Sequence, residues 1–262
     1  MGRKTIYLPI EEFESYLKNG IKGKNDFTVE TTGYTRKIKT EDTTFFFNPD
    51  GKGDFRILNL IRQVRIDAAL FCNHNTFVVN DKIKFFDLID KPPSDKISVT
   101  KVDITAAYWT VALRLGIISE KSDKYLQDNF EPLEKKYARL KALGSLATRK
   151  EKTTYVNGKY EDTSSHVEKT RELYLFICQQ IDELMQNISW EVTGAFYYYW
   201  DCIFVTSNAS KDVVELVKNA GYTSKSKKTR IYLRNDRNMY WLESSDKKIY
   251  TIREEQNAVL WQ

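Results

Sequence analysis

Tyr197-Tyr198-Tyr199-Trp200-Asp201-Cys202-Ile203-Phe204-Val205 is a dense run of aromatic and β-branched side chains broken in its middle by one carboxylate, Asp201. Such side chains pack well on a pleated surface, so the run reads as buried strand. A lone carboxylate among apolar neighbours loses several kcal/mol of solvation unless it is neutralised, paired with a cation or set on a metal ion. A second stretch has the same character. Ile97-Ser98-Val99-Thr100-Lys101-Val102-Asp103 reads as a strand ending in an acid, and Ile104-Thr105-Ala106-Ala107-Tyr108-Trp109 opens a helix-like segment. Two strand-borne aspartates make a candidate divalent-metal site, because hard cations take carboxylate oxygens.

The elements around these stretches define the expected fold class. From Ile97 the pattern predicts a strand at 97–103 and a helix at 104–115. A charged helical region follows from Ser119 to about Thr148, then a hairpin over Asn157-Gly158 within 153–160. The apolar stripe Val167, Leu173, Phe176, Ile177, Ile181, Leu184 and Ile188 predicts a long helix over 164–188. Adjacent strands follow at 190–196 and 199–205, and Ser210 reads as the cap of a helix ending at Gly221. Strands 228–234 and 239–243 read as a hairpin over Asn235-Asp236, with one more strand at 247–252. The expected class is α+β, an antiparallel sheet with two helices packed on one face.

Upstream, a small α+β region is expected over residues 1–95. It has a strand at 5–8, a helix from Pro9 to about Asn19, and strands at 27–31, 34–39 and 43–47. The glycine-rich turn 48–54 lacks phosphate-cradle spacing and reads as the start of a helix over 55–71. Cys72-Asn73-His74 has no matching Cys/His pair for a zinc site. Thr76–Val79 and Lys82–Leu88 read as a hairpin, and Lys91-Pro92-Pro93-Ser94-Asp95 reads as the boundary with a second domain, 96–262.

Composition limits the function classes. The chain has 262 residues and 41% hydrophobic content, enough for a sizeable core. No apolar run approaches the roughly 18 residues that span a bilayer, and Met1-Gly2-Arg3-Lys4 is followed by no hydrophobic signal region. A cytoplasmic protein without a membrane partner is therefore expected. Cys72, Cys178 and Cys202 are odd in number and far apart, which suits reduced thiols. The net charge of +5 permits a nucleic-acid partner without demanding one. Basic residues gather at Lys135, Lys136, Arg139, Lys141, Arg149 and Lys150, and again at Lys225, Lys227, Lys228 and Arg230.

In sequence, Tyr197 to Val205 resembles the segment that family B DNA polymerases write as Y-G-D-T-D-S-I-F-V, with Asp201 on the second aspartate and Cys202 on the serine. Asp103 to Trp109 resembles that family's D-x-x-S-L-Y-P, with Tyr108 on the residue that screens against ribonucleotides. Between them Leu143-Gly144-Ser145-Leu146-Ala147-Thr148 is similar to L-N-S-L-Y-G of the finger helix. Tyr199 stands where the family has the first aspartate of D-T-D, and Leu140 where it has a phosphate-binding lysine. The resemblance covers roughly residues 96–243.

What the resemblance implies is a reduced, exonuclease-free, phage-like polymerase: a palm-like sheet over 96–262 with a short finger-like helical insertion at about 117–162. Its activity would be DNA-directed nucleotidyl transfer in DNA replication, with primer–template DNA and deoxynucleotides as partners and Mg²⁺ or Mn²⁺ as cofactor. Asp103 and Asp201 would be the catalytic metal ligands, joined by the Ile104 backbone carbonyl. Tyr108, Lys136, Arg139 and Lys141 would bind the nucleotide, and Lys225, Lys227, Lys228 and Arg230 the nucleic-acid backbone. The alternative is a catalytically inactive palm-fold protein that binds nucleic acid or a replication or virion partner. A metal-dependent nuclease is third, since no general-base histidine lies near either aspartate in sequence. If phage-encoded, the protein would work in the host cytoplasm.

Overall fold

In the computed structural model, which describes residues 4–21, 26–31, 35–48, 54–80, 83–84, 86–89, 96–156, 159–167, 169–236, 239–243 and 249–253, two units interleave along the chain. One comprises residues 1–76 and 117–174, the other residues 77–116 and 175–262. This division differs from the single boundary expected at residue 95. The segment read as a finger insertion pairs by hydrogen bonds with the N-terminal strands and so belongs to their unit.

The first unit is built on a six-stranded sheet. Its strands are β1 (Lys4–Pro9), β2 (Phe27–Thr31), β3 (Arg36–Lys39), β4 (Thr43–Asn48), β7 (Arg149–Val156) and β8 (Lys159–Val167). They lie in the order β1-β4-β3-β2-β7-β8, with β1 parallel to β4 and the other pairs antiparallel. Alternation explains its core. Phe27, Val29, Ile38, Phe45 and Phe47 are buried on one face, closed by Phe13. The expected helix 9–19 is an irregular helical stretch: Pro9 ends β1, a 3₁₀ turn and α1 (Phe13–Ser15) follow, and a π turn runs Tyr16–Gly20.

Three helices complete this unit, α2 (Phe55–His74), α4 (Glu120–Asn129) and α5 (Pro132–Gly144). Polar contacts tie them. Asp67 on α2 accepts from the Ser119 amide at 2.9 Å and from the Ser119 and Ser122 hydroxyls at 2.7 and 2.6 Å. Arg56 reaches Glu134 of α5 and the Asn129 carbonyl. The Glu131 amide first, and then Arg56, lower the pKa of Glu134 from the ordinary carboxylate value.

The second unit carries both aspartates. Its elements are β5 (Phe86–Leu88), β6 (Lys96–Ile104), α3 (Ala107–Arg114), most of α6 (Lys169–Glu191), β9 (Ala195–Tyr199), β10 (Cys202–Val205), α7 (Ser210–Asn219), β11 (Ser224–Asp236), β12 (Met239–Glu243) and β13 (Ile249–Arg253). The sheet order is β13-β12-β11-β6-β10-β9-β5, antiparallel throughout. The four central strands β11-β6-β10-β9 with α6 and α7 form a β-α-β-β-α-β arrangement in which the first strand lies between the third and the fourth. The α+β class expected from sequence is what the chain adopts.

Strand pairing assigns the two faces of this sheet, and both bury apolar side chains, Val99, Tyr197 and Phe204 lying on the side of Asp103. Directly paired residues share a face, so Tyr198, Ile203, Val102 and Ser226 lie on one side. Thr100, Val102, Ile104 and Ile203 are buried there, as is Tyr198. The Tyr198 hydroxyl donates to Asp182 of α6 at 3.0 Å, which identifies this as the α6 side. Asp182 is itself buried, and it also accepts from the Lys84 amide and from Gln186 Nε2, both at 3.0 Å.

Several element limits differ from the sequence pattern for identifiable reasons. Residues 75–80 form no strand, and only β5 remains of the expected hairpin, whose turn residue Asp81 lies outside the described residues. The amides of Asn80 and Lys84 donate instead to Gln179 and Asp182 side chains of α6. The helix expected at 104 starts at Ala107, because the Ile104 and Thr105 amides donate to the Asp201 and Thr223 carbonyls. β8 runs to Val167, so α6 begins later than 164 and continues to Glu191 in place of the expected strand 190–196. At Gly194, φ 92°, an added Cβ would meet Thr206 Oγ1 at 2.8 Å, and β9 starts immediately after. Thr206, not Ser210, accepts from the Ala209 amide at the head of α7. β11 runs through Asn235-Asp236, the pair expected to form the turn, and pairs with β12 up to Asp236 and Met239. Residues 237–238, Asn157-Gly158, residues 91–95 and most of the turn 48–54 lie outside the described residues.

Removing the buried Asp182 carboxylate takes the acceptor from three donors, Tyr198, Lys84 and Gln186, so Asp182→Ala is expected to destabilise the chain by about 2–3 kcal/mol. Tyr198→Phe, which removes one donor and leaves the others paired, is expected to cost about half of that. Chemical denaturation of both variants beside the wild type measures the difference, and equal midpoints would contradict the role given to Asp182.

Candidate functional site

Asp103 is the penultimate residue of β6, and its direct partner on β10 is Cys202. Asp201 precedes Cys202, and its carbonyl accepts from the Ile104 amide at 2.9 Å. The two aspartates therefore sit at the same end of neighbouring strands. Asp201 is not the mid-strand charge that the sequence suggested. The run Tyr197–Val205 is a hairpin, with Tyr199 paired to Cys202 and Trp200-Asp201 as its two-residue turn. Both aspartates are partly exposed, so neither faces the desolvation that a buried strand position would impose.

The backbone at both positions is unusual. Among the described residues, Ala106 (φ 53°) and Trp200 (φ 55°) are the non-glycine residues with positive φ. A two-residue hairpin turn needs positive φ at its first central position, normally met by glycine or asparagine. A side chain with a Cβ costs about 1–2 kcal/mol there. One such residue stands directly before Asp201 and the other three residues after Asp103. Strain of this kind gathers at functional sites.

Aromatic contacts brace the turn. Trp200 packs edge-on against Tyr108 of α3 and Tyr199 of β9, each with ring centroids 6.3 Å apart. Tyr199 continues to Tyr197, and Tyr197 stacks on Phe204. Tyr108, the second residue of α3, thus lies beside the Asp201 turn.

Cations surround Asp103 on its own face. Lys101 Nζ lies 3.5 Å from Asp103 Oδ1, an ion pair between two residues of one strand spaced by two. Across the ladder with β11, Lys225 pairs with Asp103 and Lys227 with Lys101. Strand alternation separates the basic run of β11. Lys225 and Lys227 share the Asp103 face, whereas Lys228 and Arg230, opposite Thr100 and Ser98, lie on the other. The four residues expected to form one nucleic-acid contact do not form one patch. Lys101 was missed in sequence, although period-two alternation alone puts residues 101 and 103 on one face.

Cys202 lies between these charges. Burial pushes its thiol up to about 12, Asp201 and Asp103 add to the shift, and Lys101 opposes it. The thiol donates to the Tyr199 carbonyl at 3.1 Å. It remains a protonated structural group and supplies no thiolate to a metal.

The expected nucleotide-binding cations of α5 belong to the first unit. Lys136 is exposed, Lys141 Nζ lies 4.8 Å from the Tyr137 ring centre, and Arg139 is half-buried. Burial lowers the pKa of Arg139, with Asp123 acting in the opposite direction.

Among the described residues no group of three or more His, Cys, Asp or Glu gathers as a ready-made metal cage. The donor set present is two partly exposed carboxylates. It suits Mg²⁺ or Mn²⁺, which Mg²⁺-type sites hold through one or two carboxylates, with water and substrate phosphates completing the shell. It does not suit a closed zinc site.

No protein-family model, curated protein or solved structure matches the chain. The chemistry of the site must be argued from its own geometry.

The Cys202 environment gives stability an alkaline limit. An unfolded thiol ionises near pH 8.5, while the native one holds its proton to about pH 12. Between these values the unfolded state binds fewer protons, so stability falls as pH rises, by at most about 1.4 kcal/mol per pH unit from this group. Denaturation midpoints at pH 8 to 10 should drop less steeply in Cys202→Ala than in the wild type. Parallel slopes would contradict the buried, protonated assignment.

Proposed function

We propose that the chain is a metal-dependent nucleotidyltransferase that extends a nucleic-acid primer on a palm-like sheet. The observation that carries the reading is the β6–β10 register, which brings Asp103 and the Asp201 turn together at one sheet end with a strained backbone beside each. Two carboxylate residues at one end of neighbouring strands, with cations alongside, suit in-line phosphoryl transfer, which relies on positioning and charge neutralisation.

In this reading Asp103 and Asp201 hold Mg²⁺ or Mn²⁺, which when bound stabilises the attacking 3′-oxygen and the leaving phosphate oxygens. The Ile104 carbonyl is the proposed third ligand. Lys225 and Lys227, exposed on the Asp103 face, draw in the triphosphate or the primer backbone and offset its charge. Tyr108, held against Trp200, forms a wall beside the sugar position and excludes a 2′-hydroxyl. Lys228 and Arg230 are the proposed nucleic-acid contacts on the other face of β11, while Lys136, Arg139 and Lys141, expected to bind the nucleotide, are proposed as phosphate contacts of the first unit taken by itself.

Primer–template DNA and deoxynucleotides are the proposed partners, and a phage replication setting is part of the proposal. No helix among the described residues is long and apolar enough to cross a membrane. The three cysteines are free thiols, which fits a reducing cytoplasm.

A second reading has its own support. Lys101 already pairs with Asp103, and Tyr199 stands where a further carboxylate would strengthen metal binding. Both favour a palm-like protein that binds nucleic acid or a replication or virion partner without turning over.

Extension of a labelled primer on DNA and RNA templates with Mg²⁺ or Mn²⁺ separates the two. Asp103→Asn and Asp201→Asn should each lower extension by on the order of a hundred- to a thousandfold while duplex binding persists. Salt-sensitive duplex binding without extension by the wild type would favour the binding protein. Tyr108→Ala should admit ribonucleotides more readily, and an unchanged ribo-to-deoxy incorporation ratio would remove that role from Tyr108.

A further inference from the structure

On the Asp103 face the register sets three lysines beside one carboxylate. Lys101 and Lys227 are direct cross-strand partners, and like charges directly opposite one another are destabilising. Lys225 pairs with Asp103 two residues along. Lys101 Nζ engages Asp103 at 3.5 Å. The Lys101 side chain keeps a quarter of its surface exposed and that of Asp103 nearly half, 24% and 46%, so the pair opens to incoming ligands without unfolding anything.

We propose that Lys101 is a positioning residue that couples metal and polyphosphate binding by exchanging partners. Without ligand it occupies the Asp103 carboxylate and competes with a divalent cation for it. A polyphosphate arriving on the lysine face takes Lys101 as a counter-ion beside Lys225 and Lys227, and Asp103 is released to the metal. No covalent bond changes in this exchange. It discourages a divalent ion from settling on the aspartates before the phosphates that complete its shell have arrived. The inference rests on the metal-dependent reading of the site and adds to it a residue and an order of events.

The two halves of the exchange are measured apart, which avoids chelation of the metal by the phosphate. Mn²⁺ binding is followed by electron paramagnetic resonance without phosphate, and tripolyphosphate binding by calorimetry in EDTA, on the full chain. Lys101→Met should bind Mn²⁺ about fivefold more tightly and tripolyphosphate about fivefold more weakly, the range expected for exposed ion pairs. Lys101→Arg, which keeps the charge, should stay near wild type in both, and Asp103→Asn should lose the Mn²⁺ gain when combined with Lys101→Met. A merely structural lysine would weaken both affinities or neither, and either outcome overturns the exchange. Failure of both wild type and Lys101→Met to bind Mn²⁺ overturns it too, together with the metal site. Opposite shifts in a protein that extends no primer would retain the exchange and overturn the catalytic reading alone.

Discussion

The pairing of β6 with β10 is the constraint on which the site depends. Successive strand residues point to opposite faces, so a slip of one residue would turn Asp103 toward the side where Val102, Ile104, Ile203 and Tyr198 are buried. That side closes on α6 through the hydrogen bond from Tyr198 to Asp182. Both faces bury apolar side chains along β6 and β10, Val102, Ile104 and Ile203 on one and Val99, Phe204 and Tyr197 on the other, and Asp103 stays partly exposed at the strand end. The Ile104 amide bonded to the Asp201 carbonyl locks the hairpin beside it.

The hairpin turn illustrates a conflict between local preference and packing. Trp200 has φ 55°, a conformation in which an indole side chain gains nothing locally and costs about 1–2 kcal/mol. Its contacts with Tyr108 and Tyr199 work against that cost, and aromatic pairs contribute about 0.5–1.5 kcal/mol each beyond their burial. A glycine would relieve the strain and lose both contacts. The packing also joins α3 to the Asp201 turn, so the residue proposed to discriminate sugars touches the turn that carries the residue proposed to hold metal. Strain at one position is thereby exchanged for order across the site.

Much of the second unit was legible because its signals are local. Alternation along 97–103, the stripe of α6, and Gly221 after α7 each mark an element within one window of sequence, and the α+β class follows from their order. What was not legible depends on partners distant in the chain. Trp200-Asp201 is not a dipeptide that announces a turn, so the run 197–205 reads as one strand until β9 and β10 are seen to pair. Nothing in residues 149–156 tells that they pair with Phe27–Thr31 as well as with their near neighbour β8. Likewise the amides of Asn80 and Lys84 are claimed by side chains about a hundred residues away, and of the strand pattern at 76–88 only β5 remains. For the site, the two aspartates were visible as charges that a strand should not carry. Lys101 was overlooked because a lysine in a half-exposed strand raises no such objection, and the split of the β11 lysines between two faces appears only once alternation is applied to them.

The charge on the Asp103 face bears on how such a site would operate. Near-surface charges interact through a high effective dielectric, so single pairs there contribute little and are readily exchanged. Lys101, Lys225 and Lys227 exceed Asp103 and Asp201 by one positive charge. A divalent cation arriving alone would add two more and meet repulsion from the lysines. A polyphosphate arriving alone would meet the two carboxylates. Each ligand removes the obstacle to the other, so their joint binding is favoured over either alone. A nucleotide carries several negative charges on its phosphates and is itself accompanied by a divalent ion, which supplies both requirements in one ligand. On the proposed reading the arrangement would favour a metal–triphosphate pair over a bare ion or a bare phosphate, with Asp103 and the three lysines on two neighbouring strands and Asp201 in the turn before β10.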